Sequence, residues 1–500
     1  MSISNQNWHI KRPDPDALGR IRSAFGLSRP IAAVLCNRGI AAEEVMSFFQ
    51  PKLRDLTDPL QIPGMPQAVA RIWDAIHREE KILIHGDFDA DGITATALMA
   101  WVLSENGARV DCYLPHRIDD GYGLSPESLA KCLDGHRLVL TVDCGITSVE
   151  GAALARERGI DLIITDHHQP GEEMPEAHTI INPKLMPDRQ DLNVLAGVGV
   201  CFKVCHGFLK YGREQEFGGH TPDLRDGMDL VALGTVADIV PLHGENRCLV
   251  RYGMQVLSSQ RRPGIHALCG IAGIRDQLRT EDIAFRLAPR LNAAGRMGDA
   301  NEALKLLQCE SIIEAHDLAR NLDRYNRQRQ DHEEETYQAA REQINEVEAQ
   351  QCHSLVVRGD DWHRGVIGIV ASRLAQEFNR PAIVLTLDDA GELHGSGRSV
   401  PGVNLVEMLE SCREHLIRFG GHPMAVGLAM ATDCYDAFTE QLEAAICQLH
   451  DGTPSARPAL ELESDAHLAD LSDSFFSEIE MLAPFGHENP APVFMFPHLR

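Results

Sequence analysis

The sequence predicts an α/β protein in which a parallel-sheet domain is joined by a long helix to a smaller α/β domain, with a further unit beginning near Ala459. Short apolar runs alternate with helical stretches from Lys81 to Asp166, which indicates βαβ units around a parallel sheet. No Pro or Gly interrupts the charge-rich stretch between Asn301 and Gln351, so this stretch is predicted to be helical. After it, the alternation of apolar and helical runs resumes.

The predicted elements follow the chain in a regular order. In the first domain the strands are KILIHG, RVDCYLP, RLVLTVD and DLIITD, and the helices between them are ITATALMAWVLSENG and GAALARERG. In the second domain SLVVRG and PAIVLTL are predicted strands on either side of the helix VIGIVASRLAQEF. A polar segment with two prolines, DGTPSARP, follows as a linker.

These patterns divide the chain into five predicted segments. They are an N-terminal lead-in over 1–70, the parallel-sheet domain over 71–300, connecting helices over 301–350, the smaller α/β domain over 351–452, and a partial unit over 459–500. A chain of 500 residues with 44% hydrophobic content has enough apolar material for several cores.

Composition excludes several classes of protein. No apolar run approaches the roughly 18 residues of a membrane span, and the N-terminus lacks the apolar core of a signal peptide. The 13 cysteines include no CxxC pair, which fits reduced thiols better than a disulfide framework. We therefore expect a cytoplasmic protein that does not contact a membrane.

The net charge of −26 opposes general adhesion to nucleic acid, because phosphate contacts require Lys and Arg. A nucleic-acid-binding function is compatible with this charge only if the basic residues line a local surface while the carboxylates lie elsewhere or bind metal.

The segment HGDFDADG, residues 85–92, follows the first predicted strand and precedes a helix. In an extended segment His85, Asp87, Asp89 and Asp91 project to one side, at the carboxyl end of a strand where open α/β sheets bind ligands. Closely spaced carboxylates repel one another unless a divalent cation lies between them. The alternative is a helix cap with solvated loop acids, but a cap uses only one acid.

Three later apolar stretches end in similar residues. LVLTVDCG ends at Asp143, DLIITDHH ends at Asp166, His167 and His168, and VALGTVADIVPL carries Asp238 near its close. Together these residues form a mixed nitrogen and oxygen set that suits Mn²⁺ or Mg²⁺ and has too little sulfur for a zinc-thiolate site. Because one ion does not need so many ligands, we expect two ions that share a carboxylate and hydrolyse a phosphate ester.

These four stretches resemble, in order, the four motifs of the DHH phosphoesterase superfamily, whose name matches the triplet Asp166-His167-His168. RLAPRLNAAGRMGDA is similar to a stretch of the RecJ-type exonucleases within that superfamily. DWHRGVIGIVASRL, GSGRS and RFGGHPMAVG resemble the DHHA1 domain that accompanies them. The resemblance covers roughly residues 75–450 and implies that the segment from Ala459 is the opening of an oligonucleotide-binding (OB) barrel.

The resemblance also implies roles for the motif residues. The ligands of one metal would be His85, Asp89 and Asp143. The ligands of the second would be Asp91, Asp143, His167 and Asp238, with Asp143 as the bridge. His168 would contact the scissile phosphate, while Asp87 and Asp166 would orient the ligands by hydrogen bonds.

Substrate contacts are predicted from arginines and from polar residues near glycines. The candidates are Arg117, Arg290, Asn292, Arg296, Ser396, Arg398 and His422. A guanidinium matches phosphate geometry, and the glycines beside His422 permit close approach of a nucleic-acid backbone. The alternatives are ordinary surface arginines and a plain turn.

The implied function is a 5′→3′ exonuclease that releases mononucleotides from single-stranded DNA in repair and recombination, as a monomer, with helicase and single-strand-binding protein as partners. One alternative is a DHH/DHHA1 phosphodiesterase or pyrophosphatase acting on short oligonucleotides, cyclic dinucleotides or pyrophosphate. A second alternative is a non-catalytic DNA-binding replication scaffold, which would have lost metal ligands, whereas every ligand of the motifs is present here.

Overall fold

The structure is a computed structural model and describes residues 8–116, 123–217, 222–275, 277–344, 352–388, 390–449 and 459–497. The chain forms two compact units. The larger unit contains Trp8–Asp323 and the chain from Glu461 onward, and the smaller unit contains Arg324–Leu460. Within the described ranges, no helix combines the length and the apolar character required to cross a membrane.

The larger unit contains most of the elements. Its strands are β1 (Trp8–Ile10), β2 (Lys81–Gly86), β3 (Arg109–Tyr113), β4 (His136–Val142), β5 (Asp161–Thr165) and β6 (Thr179–Ile181). Its helices up to residue 258 are α1 (Pro15–Phe25), α2 (Arg29–Asn37), α3 (Val45–Phe49), α4 (Met65–His77), α5 (Ala90–Glu105), α6 (Pro126–Cys132), α7 (Val149–Glu157), α8 (Gln190–Asn193), α9 (Gly197–Glu214), α10 (Met228–Ala237) and α11 (Gly244–Ser258).

Further helices lead to the smaller unit. They are α12 (Pro263–Ile271), α13 (Thr280–Asp282), a π-helical turn at Ile283–Leu287, α14 (Ala288–Met297), α15 (Ala300–Gln308) and α16 (Ile312–Glu342). The predicted connecting helices are therefore α15 and α16. The division between the two units falls inside α16, between Asp323 and Arg324.

The sheet of the larger unit has five parallel strands in the order β3-β2-β4-β5-β6. Strands β2 and β4 are buried along nearly their whole length, as expected of a parallel sheet covered by helices on both faces. The strand order reverses between β2 and β4, so the connections that leave these two strands diverge and open a crevice at their carboxyl ends. This confirms the predicted parallel α/β domain and its strands KILIHG, RVDCYLP, RLVLTVD and DLIITD, which are β2, β3, β4 and β5.

The smaller unit is built on a mixed sheet. Its strands are β7 (Leu355–Gly359), β8 (Ala382–Leu387), β9 (Glu392–Arg398), β10 (Arg418–His422) and β11 (Ala425–Ala431), and its helices after α16 are α17 (Ile367–Phe378), α18 (Leu405–Ser411) and α19 (Tyr435–Leu449). The strand order is β10-β11-β9-β8-β7, with only β7 and β8 parallel. Its core joins residues of α17 and α19 to both sides of β8.

The last segment of the chain packs on the first. It contains β12 (Leu460–Leu462), β13 (Ser464–Asp465), α20 (Asp473–Met481) and β14 (Phe494–Met495). Phe475 and Leu482 share a buried cluster with Ile21, Leu35 and Phe49 of the N-terminal helices, and β12 pairs with β1. The segment predicted as a separate unit over 459–500 thus groups with the larger unit from Glu461 onward. Its contacts with the N-terminal helices join residues more than 400 positions apart in sequence, which local patterns do not reveal.

Arg247 on α11 connects these distant segments. Its guanidinium is buried and lies 3.6 Å from the centre of the Phe48 ring. Nε donates to the carbonyl of Phe48 at 2.8 Å, Nη1 to that of Leu482 at 3.0 Å, and Nη2 to that of Ala483 at 2.8 Å. One cation therefore satisfies carbonyls from both ends of the chain.

We expect Arg247→Met to lower the free energy of unfolding by about 3–5 kcal/mol, because it leaves several buried carbonyls without donors. Urea denaturation followed by circular dichroism measures this loss. Arg261→Met is the matched control, since the Arg261 side chain is 77% exposed and its removal should change stability by less than about 0.5 kcal/mol. Equal stabilities for the two variants would show that Arg247 does not connect the two ends.

Candidate active site

The candidate site lies at the carboxyl ends of β2, β4 and β5, beside the crevice where the strand order reverses. The loop after β2 carries Asp87 and Asp89, and Asp143 directly follows β4. Asp166 and His167 directly follow β5. The parallel sheet therefore brings together acids and imidazoles that are separated by up to 80 residues in sequence.

The loop after β2 is shaped by its own acids. Asp89 is the N-cap of α5, and its Oδ1 accepts hydrogen bonds from the backbone N–H groups of Asp91 at 3.0 Å and Gly92 at 3.2 Å. Asp87 Oδ1 accepts from the N–H of Phe88 at 2.8 Å. The capping alternative is thus correct for Asp89, but it does not account for the buried carboxyls of Asp87 and Asp91.

Asp91 is held by the N-terminus of α9. Its two oxygens accept from the N–H groups of Gly197 at 2.6 Å and Val198 at 2.9 Å, which are donors with no partner inside that helix. Burial, and then the charge of Asp89, nonetheless raise the pKa of Asp91 to about 7. Burial, more than the charge of Asp89, therefore makes the ionised form of this carboxyl unfavourable.

Asp143 lies at the centre of the cluster. Its backbone has a positive φ of 62°, and its N–H donates to the carbonyl of Thr165 at 3.0 Å. Gly197 packs against it so closely that a Cβ there would lie 2.3 Å from Asp143 Oδ1. Burial, followed by the charges of Asp91 and Asp89, raises the pKa of Asp143 well above its ordinary value.

Asp166 organises the loop after β5. Its Oδ1 accepts from the N–H of His167 at 2.7 Å and lies 2.7 Å from Nδ1 of His168, while its Oδ2 accepts from the N–H of Ile146 at 2.9 Å. Burial acts to raise the pKa of Asp166, but the hydrogen bond and charge of His168 outweigh it and lower that pKa. Asp166 therefore contacts both histidines, as an orienting role would require.

His167 faces two carboxylates. Its Nε2 lies 3.1 Å from Asp143 Oδ1 and 3.6 Å from Asp238 Oδ2. Burial, followed by the charge of His168, lowers the pKa of His167 to about 3, so the ring is the neutral form that binds metals. Asp238 caps the C-terminus of helix α10, so the apolar stretch that carries it is helical and does not add a strand to the sheet.

Three buried polar atoms at this point have no hydrogen-bond partner: Asp143 Oδ1, His167 Nε2 and Asp238 Oδ2. Each is a potential ligand atom, and the two carboxylate oxygens both lie within 4 Å of the His167 ring nitrogen. Buried polar atoms in native proteins are normally satisfied, so this convergence fits a divalent cation with oxygen and imidazole ligands.

The potential ligand atoms form overlapping groups within 4.8 Å. The groups in this region are Asp87 with Asp89 and Asp143, Asp91 with His167 and Asp238, and Asp143 with His167 and His168. Asp143 and His167 each belong to two of these groups, and of the two only Asp143 carries a carboxylate that could bridge two ions. The residues present therefore fit Mn²⁺ or Mg²⁺, with room for more than one ion.

His85 lies outside the ligand groups described above. It lies at the end of β2, buried, with Nε2 3.2 Å from Ser128 Oγ and Nδ1 3.9 Å from Cys144 Sγ. Within the described residues, none of the ligand groups includes it. Asp87, for which the resemblance implies an orienting role, belongs to the group with Asp89 and Asp143.

Two polar residues near the site were missed. Asn182 follows β6, and its Nδ2 donates to the carbonyl of His168 at 2.9 Å. Burial lowers the pKa of the neighbouring Lys184, while the charges of Asp166 and Asp238 act to raise it. The signal was available in the sequence, because INPK places polar residues after one more short apolar run at the same sheet edge.

The predicted substrate residues of the larger unit have structural partners. Arg290 pairs with Asp323 at 2.9 Å and donates to the carbonyl of Arg286 at 2.6 Å. Asn292 Oδ1 accepts from the N–H of Ala90 at 2.7 Å, so it positions the loop that carries Asp89. Arg296 lies on the same helix, α14. Arg117 lies outside the described residues.

The predicted residues of the smaller unit share one face of its sheet. Across the strands β9, β11 and β10, one row of paired residues is Ser396, Gly427 and Gly420. The next row on the same side is Arg398, Ala425 and His422. Paired residues project to the same side. Arg398 Nη1 donates to Ser396 Oγ at 3.0 Å, so these two side chains act as one polar group.

Known proteins share this architecture. The model of the DHH family N-terminal domain matches residues 81–235, and that of the DHHA1 domain matches residues 350–448. The single-stranded-DNA-specific exonuclease RecJ of Bacillus subtilis is 39% identical over 98% of this chain, and the chain spans 62% of that relative's length. The RecJ of Escherichia coli is 38% identical, covering 87% of this chain and 78% of the relative.

A solved structure agrees with these relatives. The crystal structure of RecJ from Thermus thermophilus in complex with Mn²⁺ superimposes with a TM-score of 0.85 at 30% identity, covering 99% of this chain and 70% of that one. The manganese in that relative matches the ligand chemistry of the carboxylate and histidine groups described above. The chain therefore belongs to the RecJ family of single-stranded-DNA-specific exonucleases.

Proposed function

We propose that this chain hydrolyses phosphodiester bonds at the 5′ end of single-stranded DNA and releases mononucleotides, using two divalent ions. The observation that carries the proposal is the convergence of Asp143, His167 and Asp238 through ligand atoms that lack any other partner. Family membership supplies the substrate class and the polarity. DNA repair and recombination would be the setting, in the cytoplasm, with the protein as a monomer.

The chain's own residues prepare the chemistry. Asp87, Asp89 and Asp143 would hold one ion, and Asp91, Asp143, His167 and Asp238 the other. When bound, the ions supply Lewis acidity toward the phosphate oxygens and lower the pKa of a water. No nucleophilic side chain is then needed, and the donors of α9 keep the Asp91 carboxylate fixed.

His168 is suited to contact the scissile phosphate. Burial acts to lower its pKa, but the hydrogen bond and charge of Asp166 raise it, which favours an imidazolium beside the anionic substrate. Asp166 also fixes the orientation of the ring through Nδ1. His168 would thus add positive charge where negative charge develops during hydrolysis.

A strip of glycines on the smaller unit supports strand binding there. Gly420 and Gly427 pair with each other beside Ser396 and are exposed. A Cβ at either position would meet nothing within 4 Å, and neither has a positive φ. Neither the fold nor the backbone requires glycine here, and glycine weakens strands, so the open strip fits close approach of a sugar-phosphate backbone.

The deciding experiment uses single-stranded oligonucleotides labelled at either end, incubated with Mn²⁺. A 5′→3′ exonuclease releases the 5′ label as a mononucleotide at the earliest times, whereas the 3′ label persists in a ladder of shortening strands. Loss of the 3′ label first would reverse the proposed polarity. Hydrolysis of cyclic dinucleotides or pyrophosphate without DNA degradation would instead favour the small-phosphodiesterase alternative.

Asp143→Asn should lower kcat by about 10³-fold or more, because the loss of a shared ligand weakens the stabilisation that both ions give to the reacting phosphate. The metal-free variant should melt no lower than the wild type, since a repelling buried carboxylate has been removed. Mn²⁺ should raise the melting temperature of the wild type but not that of the variant.

Asp111→Asn is the control for this substitution. Asp111 lies on β3 of the same sheet, is 55% exposed and pairs with His136 outside the site. It should retain nuclease activity and the Mn²⁺-dependent rise in melting temperature. Full activity in Asp143→Asn would remove Asp143 from the metal centre.

Gly427→Ala should weaken single-strand binding about tenfold or more through steric exclusion of the backbone, while leaving stability unchanged or slightly higher. Fluorescence anisotropy and thermal melting measure the two effects. Gly395→Ala is the matched control on the opposite face, where a Cβ would lie 2.7 Å from Leu385 Cδ2. Gly395→Ala should destabilise the fold without a specific binding defect. If Gly395→Ala weakened single-strand binding while Gly427→Ala only destabilised the fold, the role of the glycine strip would be contradicted.

A further inference from the structure

A second arginine on the smaller unit is held in an unusual way. Nη2 of Arg364 lies 3.0 Å from Nδ1 of His394. A guanidinium only donates, so His394 must accept at Nδ1 and must be neutral, with its proton on Nε2. Arg364 therefore donates a hydrogen bond to an imidazole nitrogen, whereas the common partner of an arginine is a carboxylate.

Asp388 fixes that state of the histidine. Its Oδ2 lies 2.7 Å from His394 Nε2, close enough to accept the Nε2 proton. Its Oδ1 accepts from the backbone N–H groups of Ala390 at 3.0 Å and Glu392 at 2.9 Å. The turn between β8 and β9 thus orients Asp388, Asp388 sets the tautomer of His394, and His394 orients Arg364.

The backbone around Arg364 is fixed as well. Thr386 Oγ1 donates to the carbonyl of Trp362 at 2.7 Å, and the N–H of Gly365 donates to His363 Nδ1 at 3.0 Å. Arg364 therefore leaves a rigid turn just before α17 and is constrained at both ends. This limits the side-chain entropy that an arginine loses when it binds an anion.

Arg364 lies beside the polar face described above. His394, Ser396 and Arg398 alternate along β9, so their side chains project to the same side of the sheet. Gly368 at the start of α17 borders that side, because a Cβ there would lie 2.9 Å from Ser396 Oγ and 3.2 Å from Arg398 Nη2. Arg364, which contacts His394, extends this row of donors by one position.

Most of the Arg364 guanidinium remains available. It has five N–H donors, and among the described residues only His394 forms a hydrogen bond or ion pair with it. The Arg364 residue is exposed, and none of its nitrogens is a buried atom without a partner. In a chain with a net charge of −26, a positioned arginine without a carboxylate partner is suited to an external anion.

The neighbouring group of Asp388, Glu392 and His394 does not lead to a metal site. Its ligand atoms lie close enough to hold a cation, but the Asp388 oxygens already accept from two backbone donors and face His394. The positive charge of Arg364 also lies beside Nδ1, the remaining ring nitrogen of His394. These contacts favour an anion near Arg364 over a cation near Asp388.

We propose that Arg364 binds a phosphate of the single strand, and that His394 and Asp388 are positioning residues that hold it in the required orientation. The proposal rests on the function proposed above and adds a phosphate contact to the surface formed by Ser396 and Arg398. The proposal has one distinguishing consequence. Replacing the neutral His394 should weaken single-strand binding as much as removing the positive charge of Arg364.

The test measures binding of a fluorescent oligothymidylate to the full chain in EDTA, where the strand is not cleaved, at several salt concentrations. Arg364→Ala should raise Kd about tenfold and reduce the slope of log K against log salt by about 0.7, the value for one phosphate contact on a single strand. His394→Phe should give the same two changes. The double variant should bind no more weakly than Arg364→Ala alone.

Rescue separates positioning from folding. His394→Gln can accept from Arg364 through Oε1 and donate to Asp388 through Nε2, so it should bind close to wild type. In the nuclease assay with Mn²⁺, Arg364→Ala and His394→Phe should raise KM with little change in kcat. Arg413→Ala is the charge control, because Arg413 is 70% exposed and pairs with Glu410, and its salt slope should match the wild type.

The outcomes separate this inference from the function on which it rests. A wild-type chain that neither binds nor degrades single strands would overturn the proposed function itself. If the wild type binds and Arg364→Ala behaves like Arg413→Ala, only the role of Arg364 is wrong. If Arg364→Ala shows the expected loss but His394→Phe binds like the wild type, the positioning role of His394 is wrong.

Discussion

Mutual repulsion among buried carboxylates is the constraint on which the rest of this structure depends. Asp87, Asp91 and Asp143 are almost wholly buried and lie with Asp89 and Asp238 at one edge of a parallel sheet. Burial and neighbouring negative charge raise the pKa of both Asp143 and Asp238 well above the ordinary value. Divalent cations reverse that cost, so the groups that make the apo site unfavourable also make it selective for Mn²⁺ or Mg²⁺.

The fold supports this cluster with backbone groups instead of with cationic side chains. The first N–H groups of α9 bind Asp91, and Gly197 lets the same helix approach Asp143 without a Cβ in the way. A lysine or arginine in that place would neutralise the acids and compete with the metal. Partial charges from a helix N-terminus orient the carboxylates while leaving their capacity to bind ions.

Under the proposed function, the smaller unit would have to bind an anionic polymer although the chain is strongly acidic. Its sheet presents Ser396, Arg398 and His422 around an open strip of glycines, and Arg364 is held by a neutral histidine in place of a carboxylate. Local arrangement, and not net charge, then determines where the strand can bind. With such a local surface, the proposed strand binding is compatible with a net charge of −26.

The sequence by itself determined the parallel α/β domain, its strands and the acids that follow them, because strand periodicity and motif spacing are local properties. It also identified Asp143, Asp166 and His167 at strand ends. Only the tertiary structure decided that Asp238 ends a helix, that Asp87 groups with Asp143 while His85 faces Ser128, and that the chain from Glu461 packs on the N-terminal helices. These outcomes depend on which side chains meet across long separations in sequence. Packing and competition for hydrogen-bond partners determine those contacts, and neither leaves a periodic signal in the sequence.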